Sequence, residues 1–209
     1  MTEQAQKQPY WEERGFPAHN IHMTLEEFEA LPETNLHIEW HDGMVVYPDL
    51  DEEHVTVSPP IKHARIKGNV LVYLMGLLPH HRRLYPAPIA VQLDRYIVQP
   101  DILWIAEDSS IIEHDTHFEG APTLIIEVIS AHNRLERVTK YELYERSGVK
   151  EYWLVDYIGE FIEVYTLKNG KYQRFGAFIQ EQEFTSPALG KAVDAKVIFD
   201  GSTTKSRGR

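Results

Sequence analysis

The stretch Thr123-Leu124-Ile125-Ile126-Glu127-Val128-Ile129 decides the fold of this chain. Its apolar and largely β-branched residues predict a fully buried strand. Glu127 stands inside that strand, where an unpaired ionised carboxylate would cost on the order of several kcal/mol. Because side chains alternate along a strand, Glu127 shares its face with Ile125 and Ile129, and its partner must come from elsewhere in the fold. We expect that partner to be a metal ion, a cationic group, or both.

The composition is that of one globular domain. The chain has 209 residues, of which 43% are hydrophobic and 25% are charged, enough for a sizeable core. It contains no cysteine, which excludes a disulfide scaffold, thiolate zinc sites and cysteine nucleophiles and fits a reducing compartment. Neither a signal peptide nor an apolar run of membrane-spanning length is visible. We therefore expect a cytoplasmic protein with an arm at residues 1–20, one domain over 21–200 and a disordered basic tail at 201–209.

The net charge of -11 is unevenly distributed. Residues 1–53 hold 13 Asp and Glu against 2 Lys and Arg, whereas the rest of the chain holds 19 of each kind. No acid occurs from residue 54 to residue 93, a stretch that contains Lys62, Arg65, Lys67, Arg82 and Arg83. Since salt limits charge effects to about 8–10 Å, a polyanion could bind there despite the overall negative charge. Charge alone favours the simpler reading that both regions are solvated faces.

The remaining pattern predicts alternating helices and strands. A capping box at Thr24 and Glu27 starts a short helix that should end before Pro32. Longer helices are predicted at residues 61–78 and 134–146. The turn signals Asp42-Gly43 and Asn169-Gly170 predict two hairpins. Further strands are expected at residues 54–57, 89–93, 100–105, 123–129 and 151–156.

Three residues in order suggest a metal site. Asp101 starts a strand, Glu127 lies inside the next long one, and Lys140 falls on the following helix. Two carboxylates and a backbone carbonyl, for which Val128 is well placed, suffice for Mg²⁺ because this ion keeps several waters. A nearby lysine could orient a water or stabilise phosphate charge. Taken singly, Asp101 could be a turn residue, Lys140 a solvent-exposed lysine and Glu127 a paired core acid.

At this point the chain resembles the bacterial Uma-two family, a branch of the PD-(D/E)XK nucleases. The resemblance covers about residues 23 to 199. It rests on an ordered set of short motifs: Met23-Thr24-Leu25-Glu26-Glu27-Phe28, Glu39 with Asp42-Gly43, Ser58-Pro59-Pro60 with His63, Pro100-Asp101, Gly120-Ala121-Pro122, Ile126-Glu127-Val128-Ile129-Ser130, Lys140 with Tyr144, and Gly148-Val149-Lys150-Glu151-Tyr152-Trp153-Leu154-Val155-Asp156.

The resemblance implies a fold, a reaction and a site. The fold would be α/β, a restriction-endonuclease-like core with a mixed β-sheet flanked by helices, an additional N-terminal hairpin and C-terminal antiparallel strands. The reaction would be Mg²⁺- or Mn²⁺-dependent cleavage of DNA. Asp101 and Glu127 would bind the metal. The motif lysine of the family usually stands where this chain has Ile129, and Lys140 would take over its role. Glu39 would be an additional acidic residue and His63 would lie at the rim, although the residue pattern alone also allows a surface Glu39 and a hydrogen-bonded core His63.

The chain departs from the family pattern in several places, and two of them bear on the site and on its surroundings. The segment from Ser130 to Lys140 is one residue shorter, and a deletion within the helix would rotate Lys140 by about 100°. An insertion around residues 48–57 carries an acidic loop at 49–53.

Three hypotheses follow. The first is a metal-dependent DNA endonuclease, expected as a homodimer because cutting both strands needs two sites. The second is a catalytically inactive nuclease fold that binds nucleic acid or protein. The third is self-masking, in which the acidic loop covers the basic surface near residues 62–67.

Overall fold

The computed structural model describes residues 19–32, 36–48, 60–78, 83–129 and 134–201, with backbone only for 134–136. The helices are α1 (Leu25–Glu29), α2 (Ile61–Leu77), α3 (Arg134–Ser147) and α4 (Ala195–Asp200). The strands are β1 (Glu39–His41), β2 (Met44–Val46), β3 (Leu84–Pro86), β4 (Ala90–Leu93), β5 (Tyr96–Val98), β6 (Ile102–Trp104), β7 (Ile112–Glu113), β8 (His117–Glu119), β9 (Leu124–Ile129), β10 (Glu151–Asp156), β11 (Phe161–Lys168), β12 (Lys171–Ile179), β13 (Glu183–Ser186) and β14 (Lys191–Asp194).

Both predicted hairpins form at their turn signals. Asp42 and Gly43 join β1 to β2 with φ values of 49° and 94°, and Asn169 and Gly170 join β11 to β12 with 53° and 75°. Positive φ at both central residues matches the twist of the flanking strands. The capping box at Thr24 also forms, but α1 ends at Glu29, two residues before the predicted end.

The strands form two mixed sheets and one separate hairpin. The first sheet has the order β2-β1-β5-β4-β8-β7, the second has the order β12-β11-β10-β9-β6-β3, and β13 pairs with β14. The pairs β4–β8 and β9–β10 are parallel, and the other pairs are antiparallel. Mixed sheets with flanking helices and antiparallel C-terminal strands are the predicted α/β fold class.

Helices α2 and α3 cover opposite faces of the second sheet. On one face, Ile126 and Val128 of β9 belong to a core with Ile66, Val70 and Leu74 of α2. On the other face, the alternate residue Ile125 packs in a core with residues of α3, among them Leu143 and Tyr144. Since every residue of β9 from Leu124 to Val128 is buried, the alternation sends Glu127 toward α3.

Some predictions fall on residues outside the described ranges. These are most of the arm (1–18), the acidic loop (49–53) with its self-masking role, the strand at 54–57 and the tail from 202 onward. The domain bounds 1–20, 21–200 and 201–209 remain predictions. Within the described ranges, no helix combines the length and the apolar character that crossing a membrane requires.

Candidate active site

Asp101 lies where two strands of the second sheet separate. Strands β6 and β9 stay paired only as far as Ile102 and Ile126. Beyond that point the Val128 amide donates to Oδ2 of Asp101 over 2.8 Å. The carboxylate therefore replaces a strand partner, and this bond holds its side chain at the end of the paired region.

Helix α2 brings two bases to Asp101. Nε2 of His63 lies 3.4 Å from Oδ2, and Nζ of Lys67 lies 3.1 Å from Oδ1. Residues four apart lie on one helix face, which explains why His63 and Lys67 reach the same carboxylate. The ring of His63 also meets Tyr157 edge to face at 5.7 Å.

Glu127 receives its side-chain hydrogen bonds from helix α3. Its Oε1 accepts from Nζ of Lys140 over 3.1 Å and from the Tyr144 hydroxyl over 2.7 Å. Its Oε2 accepts from the backbone amide of Asp101 over 3.3 Å. The predicted cationic partner is therefore Lys140, and the Asp101 amide links the two acidic residues.

Lys140 joins the two sheets. Its Nζ lies 3.3 Å from Oε1 of Glu39 in the first sheet and 3.1 Å from Oε1 of Glu127 in the second. Its side chain is only 3% exposed. Lys140 points at the acids rather than at solvent. The shorter segment before it has therefore not turned its side chain away from the site.

Glu39 is surrounded by donors although it is fully buried. His37 and His41 flank it two residues to either side, with their Nε2 atoms 3.2 Å from Oε1 and 2.8 Å from Oε2. The Gln99 amide also donates to Oε1 over 3.0 Å. Glu39 thus faces the site rather than solvent.

The surroundings of Glu39 and Asp101 lower the pKa values of both carboxyl groups and so favour their ionised forms. Burial opposes ionisation of Glu39, but the charge of Lys140 and the hydrogen bonds of His37 and His41 lower its pKa well below the ordinary value. Burial likewise opposes ionisation of Asp101, but contact with His63 and the charge of Lys67 lower its pKa. These are the opposite-charge and hydrogen-bond effects expected for paired carboxylates.

The neighbouring carboxylates also shift the pKa values of His63 and Tyr144. Burial alone would lower the pKa of His63, but the Asp101 carboxylate outweighs burial and raises it. Burial, with the negative charge of Glu127, raises the pKa of Tyr144 well above its ordinary value. Tyr144 therefore stays a hydrogen-bond donor to Glu127.

The donor set fits a magnesium-type ion better than a zinc-type ion. Within the described residues, no three His, Cys, Asp or Glu side chains are grouped so that they could hold a metal, which disfavours zinc because zinc takes three or four such ligands. Mg²⁺ takes only one or two carboxylates from a protein, and Asp101 and Glu127 are the residues that would supply them. In the same described part, Oε1 of Gln99 is buried without a hydrogen-bond partner. An added polar ligand or its waters would satisfy such an atom.

The five predicted site residues form one connected group. Contacts run from His63 to Asp101, through the Asp101 amide to Glu127, and through Lys140 to Glu39. The structure describes the Val128 amide at the site, and a metal-binding role for its carbonyl stays a prediction.

Four further residues of this group were not predicted as site residues: His37, His41, Lys67 and Tyr144. Each has a simple spacing to a predicted one. Lys67 is four residues after His63 and Tyr144 is four after Lys140, which is one helical turn. The two histidines are two residues either side of Glu39, the spacing at which side chains of an extended chain share a face. These spacings could have identified them.

Comparisons with known proteins concern the family and the fold. The sequence model of a family described as "Putative restriction endonuclease" matches residues 25–196. A crystal structure described as a putative nuclease belonging to DUF820, from Anabaena variabilis ATCC 29413, is similar with a TM-score of 0.66 and 18% identity. The match covers 85% of this chain and 98% of that one, and at this identity it concerns the fold alone. A comparison with curated proteins found no match.

Proposed function

The chain belongs to the Uma2 family of restriction-endonuclease-like proteins, and from this membership together with the site geometry we propose that it is a Mg²⁺- or Mn²⁺-dependent DNA endonuclease. Membership confirms the resemblance drawn from the motifs. One observation supports the reaction above all others: Lys140 contacts Glu127 and Glu39 while the Asp101 amide contacts Glu127. Acids that could hold a metal, with a lysine that could stabilise phosphate charge, are a combination suited to metal-assisted phosphodiester hydrolysis.

In this proposal Asp101 and Glu127 hold the metal. When bound, the metal would lower the pKa of a water molecule and neutralise charge on the phosphate. Lys140 and Tyr144 donate to Oε1 of Glu127 and the Asp101 amide donates to Oε2, and this carboxylate would hold the metal together with that of Asp101. Val128 would supply its carbonyl.

Lys140 would act on the attacking water or on the phosphate charge, and Glu39 would act on Lys140. The Lys140 ammonium can donate a hydrogen bond to a phosphate oxygen or orient the attacking water. Glu39, held in its ionised form, pairs with the Lys140 ammonium and fixes its position. His63 keeps Asp101 ionised at the helix α2 side of the site.

Cleavage assays with Mn²⁺ test the proposal. We expect the wild-type protein to cleave duplex DNA, and Asp101→Asn and Glu127→Gln each to lower the rate by roughly a hundredfold or more. Glu151→Gln is the matched control, because Glu151 is an equally buried glutamate on the neighbouring strand that bonds instead to Trp153 and Ser186. Absence of cleavage by the wild type, or equal cleavage by all variants, contradicts the proposal.

A binding module without catalysis is the alternative. The observation in its favour is that each site carboxylate already has a protein cation beside it, Lys67 for Asp101 and Lys140 for Glu39 and Glu127. Buried acids paired in this way need no metal. Salt-sensitive but metal-independent DNA binding supports this alternative, whereas stabilisation by Mn²⁺ that Glu127→Gln abolishes counts against it.

We further propose a cytoplasmic homodimer. Two copies would present two sites, one for each DNA strand. Light scattering on the purified protein with and without DNA measures the stoichiometry, and a monomer in both conditions contradicts this part of the proposal.

A further inference from the structure

Lys67 is the solvent-accessible lysine of the candidate active site. Its side chain is 28% exposed, whereas that of Lys140 is 3% exposed. Its Nζ lies 3.1 Å from Oδ1 of Asp101. A lysine in this position carries an ammonium on a flexible stem that can reach away from the site without unfolding anything.

The oxygen that Lys67 contacts is the one a cation would need. Oδ2 of Asp101 already accepts from the Val128 amide and faces His63. Oδ1 faces Lys67. A divalent ion that binds through Asp101 therefore meets the Lys67 ammonium as a competitor of the same sign, held at ion-pair distance.

We propose that Lys67 is an exchangeable counterion, which pairs with Oδ1 of Asp101 in the metal-free protein and with a DNA phosphate once a divalent ion occupies the site. This inference rests on the proposed endonuclease function. The exchange keeps charge balanced at each stage, because the metal takes over Asp101 while the released ammonium neutralises a phosphate. Lys67 is thus a positioning residue for the substrate, in addition to Lys140, whose two carboxylate contacts hold it in place.

Lys62 provides a matched control on the same helix. Its Nζ pairs with Oε1 of Glu160 over 2.8 Å, and its side chain is 45% exposed. Removing Lys62 also deletes one positive charge from α2, but at a pair outside the candidate active site.

Calorimetric titration with Mn²⁺ alone tests the first half of the inference. We expect Lys67→Met to bind Mn²⁺ about tenfold more tightly than the wild type, because the competing ammonium is gone. Lys67→Arg, which keeps the charge, and Lys62→Met should bind Mn²⁺ as the wild type does. Thermal unfolding of each variant establishes that it is folded. Equal or weaker Mn²⁺ binding by Lys67→Met overturns the inference.

DNA binding tests the second half of the inference, for which Lys67→Met should lower the affinity rather than raise it. Fluorescence anisotropy of a labelled duplex, measured in Ca²⁺ over a series of salt concentrations, gives affinity without relying on cleavage. We expect Lys67→Met to bind DNA more weakly and to reduce the slope of log affinity against log salt by about 0.9, the value for one lost phosphate contact. An unchanged slope overturns the proposed phosphate contact.

The result separates this inference from the proposed function. If the wild type binds no Mn²⁺, the metal site fails and the inference fails with it. If the wild type binds Mn²⁺ and cleaves DNA while Lys67→Met matches it in both titrations, the inference alone is wrong.

Discussion

The Tyr144 hydroxyl donates a hydrogen bond to Oε1 of Glu127 over 2.7 Å, at a position where the tyrosine is completely buried. This oxygen also accepts from Lys140, so the tyrosine fixes the carboxylate from the α3 side. The strand sequence around Glu127 does not by itself predict a contact with a tyrosine. The contact exists because α3 brings Lys140 and Tyr144 to the sheet on one face.

Tyr144→Phe should destabilise the protein by about 1.5–3 kcal/mol, the usual contribution of a hydrogen bond to a charged group. Urea denaturation followed by circular dichroism measures this loss. Tyr172→Phe is the matched control, because the Tyr172 hydroxyl is buried and has no hydrogen-bond partner within the described residues. Its removal should leave the free energy of unfolding nearly unchanged. Equal losses in both variants would contradict a specific role for the Glu127 contact.

Lys140→Met should cause a larger loss, about 3–5 kcal/mol at neutral pH, because it leaves Glu39 and Glu127 buried without their shared cation. The loss should shrink as the pH falls, since protonation removes the uncompensated charge. Lys171→Met serves as the control, because Lys171 belongs to an exposed pair with Glu145, and little change is expected. Urea titrations of the three proteins across acidic and neutral pH measure these differences. A pH-independent deficit in Lys140→Met would be inconsistent with this explanation.

Glu39→Gln should change the pH dependence of stability in a defined direction. The pKa of Glu39 is lowered from its ordinary value of 4.5, so the ionised group stabilises the folded state above that pH and loses this effect as the pH falls through the folded pKa. The deficit of Glu39→Gln relative to wild type should therefore be full above about pH 4.5 and should decrease at lower pH.

Glu151→Gln should behave in the opposite way. Burial raises the pKa of Glu151 above 4.5, even though Ser186, the Ala188 amide and Trp153 donate to it. A raised acid pKa gives stability that is present below pH 4.5 and is lost as the pH rises through the folded pKa. The deficit of Glu151→Gln should thus decrease toward neutral pH. Parallel pH profiles for the two glutamine variants would show that one of these assignments is wrong.

Mn²⁺ should raise the melting temperature of the wild-type protein. A ligand at a hundred times its dissociation constant stabilises the folded state by about 2.7 kcal/mol. Asp101→Asn and Glu127→Gln should remove the Mn²⁺-dependent part of this shift, while Glu151→Gln should retain it. Differential scanning fluorimetry with and without Mn²⁺ provides the measurement, and a shift that survives in Glu127→Gln would place the metal elsewhere.

Local patterns predicted much of the fold. The two hairpins appear at Asp42-Gly43 and Asn169-Gly170, because only a few residue types tolerate the positive φ that such turns need. The buried strand around Glu127 was predictable from its run of β-branched and apolar residues. The end of α1 was less predictable, since helix ends depend on contacts beyond the capping signal.

The site was predictable only in part. An acid in a buried strand requires a partner, and the motif resemblance pointed to Lys140. The contact of Lys67 with Asp101 joins segments that a local pattern cannot relate, whereas the contacts of His37 and His41 with Glu39 follow from their two-residue spacing. The separation of β6 from β9, which gives Asp101 the Val128 amide, depends on the pairing register of the sheet rather than on any motif.

The position of Lys140 between the two sheets has a consequence for how the molecule opens. Any fluctuation that moved the sheets apart at this point would leave the Lys140 ammonium and the carboxylates of Glu39 and Glu127 unpaired in a poorly hydrated gap. Partial opening there is therefore unfavourable, and slow amide exchange in β1 and in β9 should share one opening free energy in the wild type. Lys140 in this respect makes the two sheets a single cooperative unit, and Lys140→Met should let the two strands exchange independently.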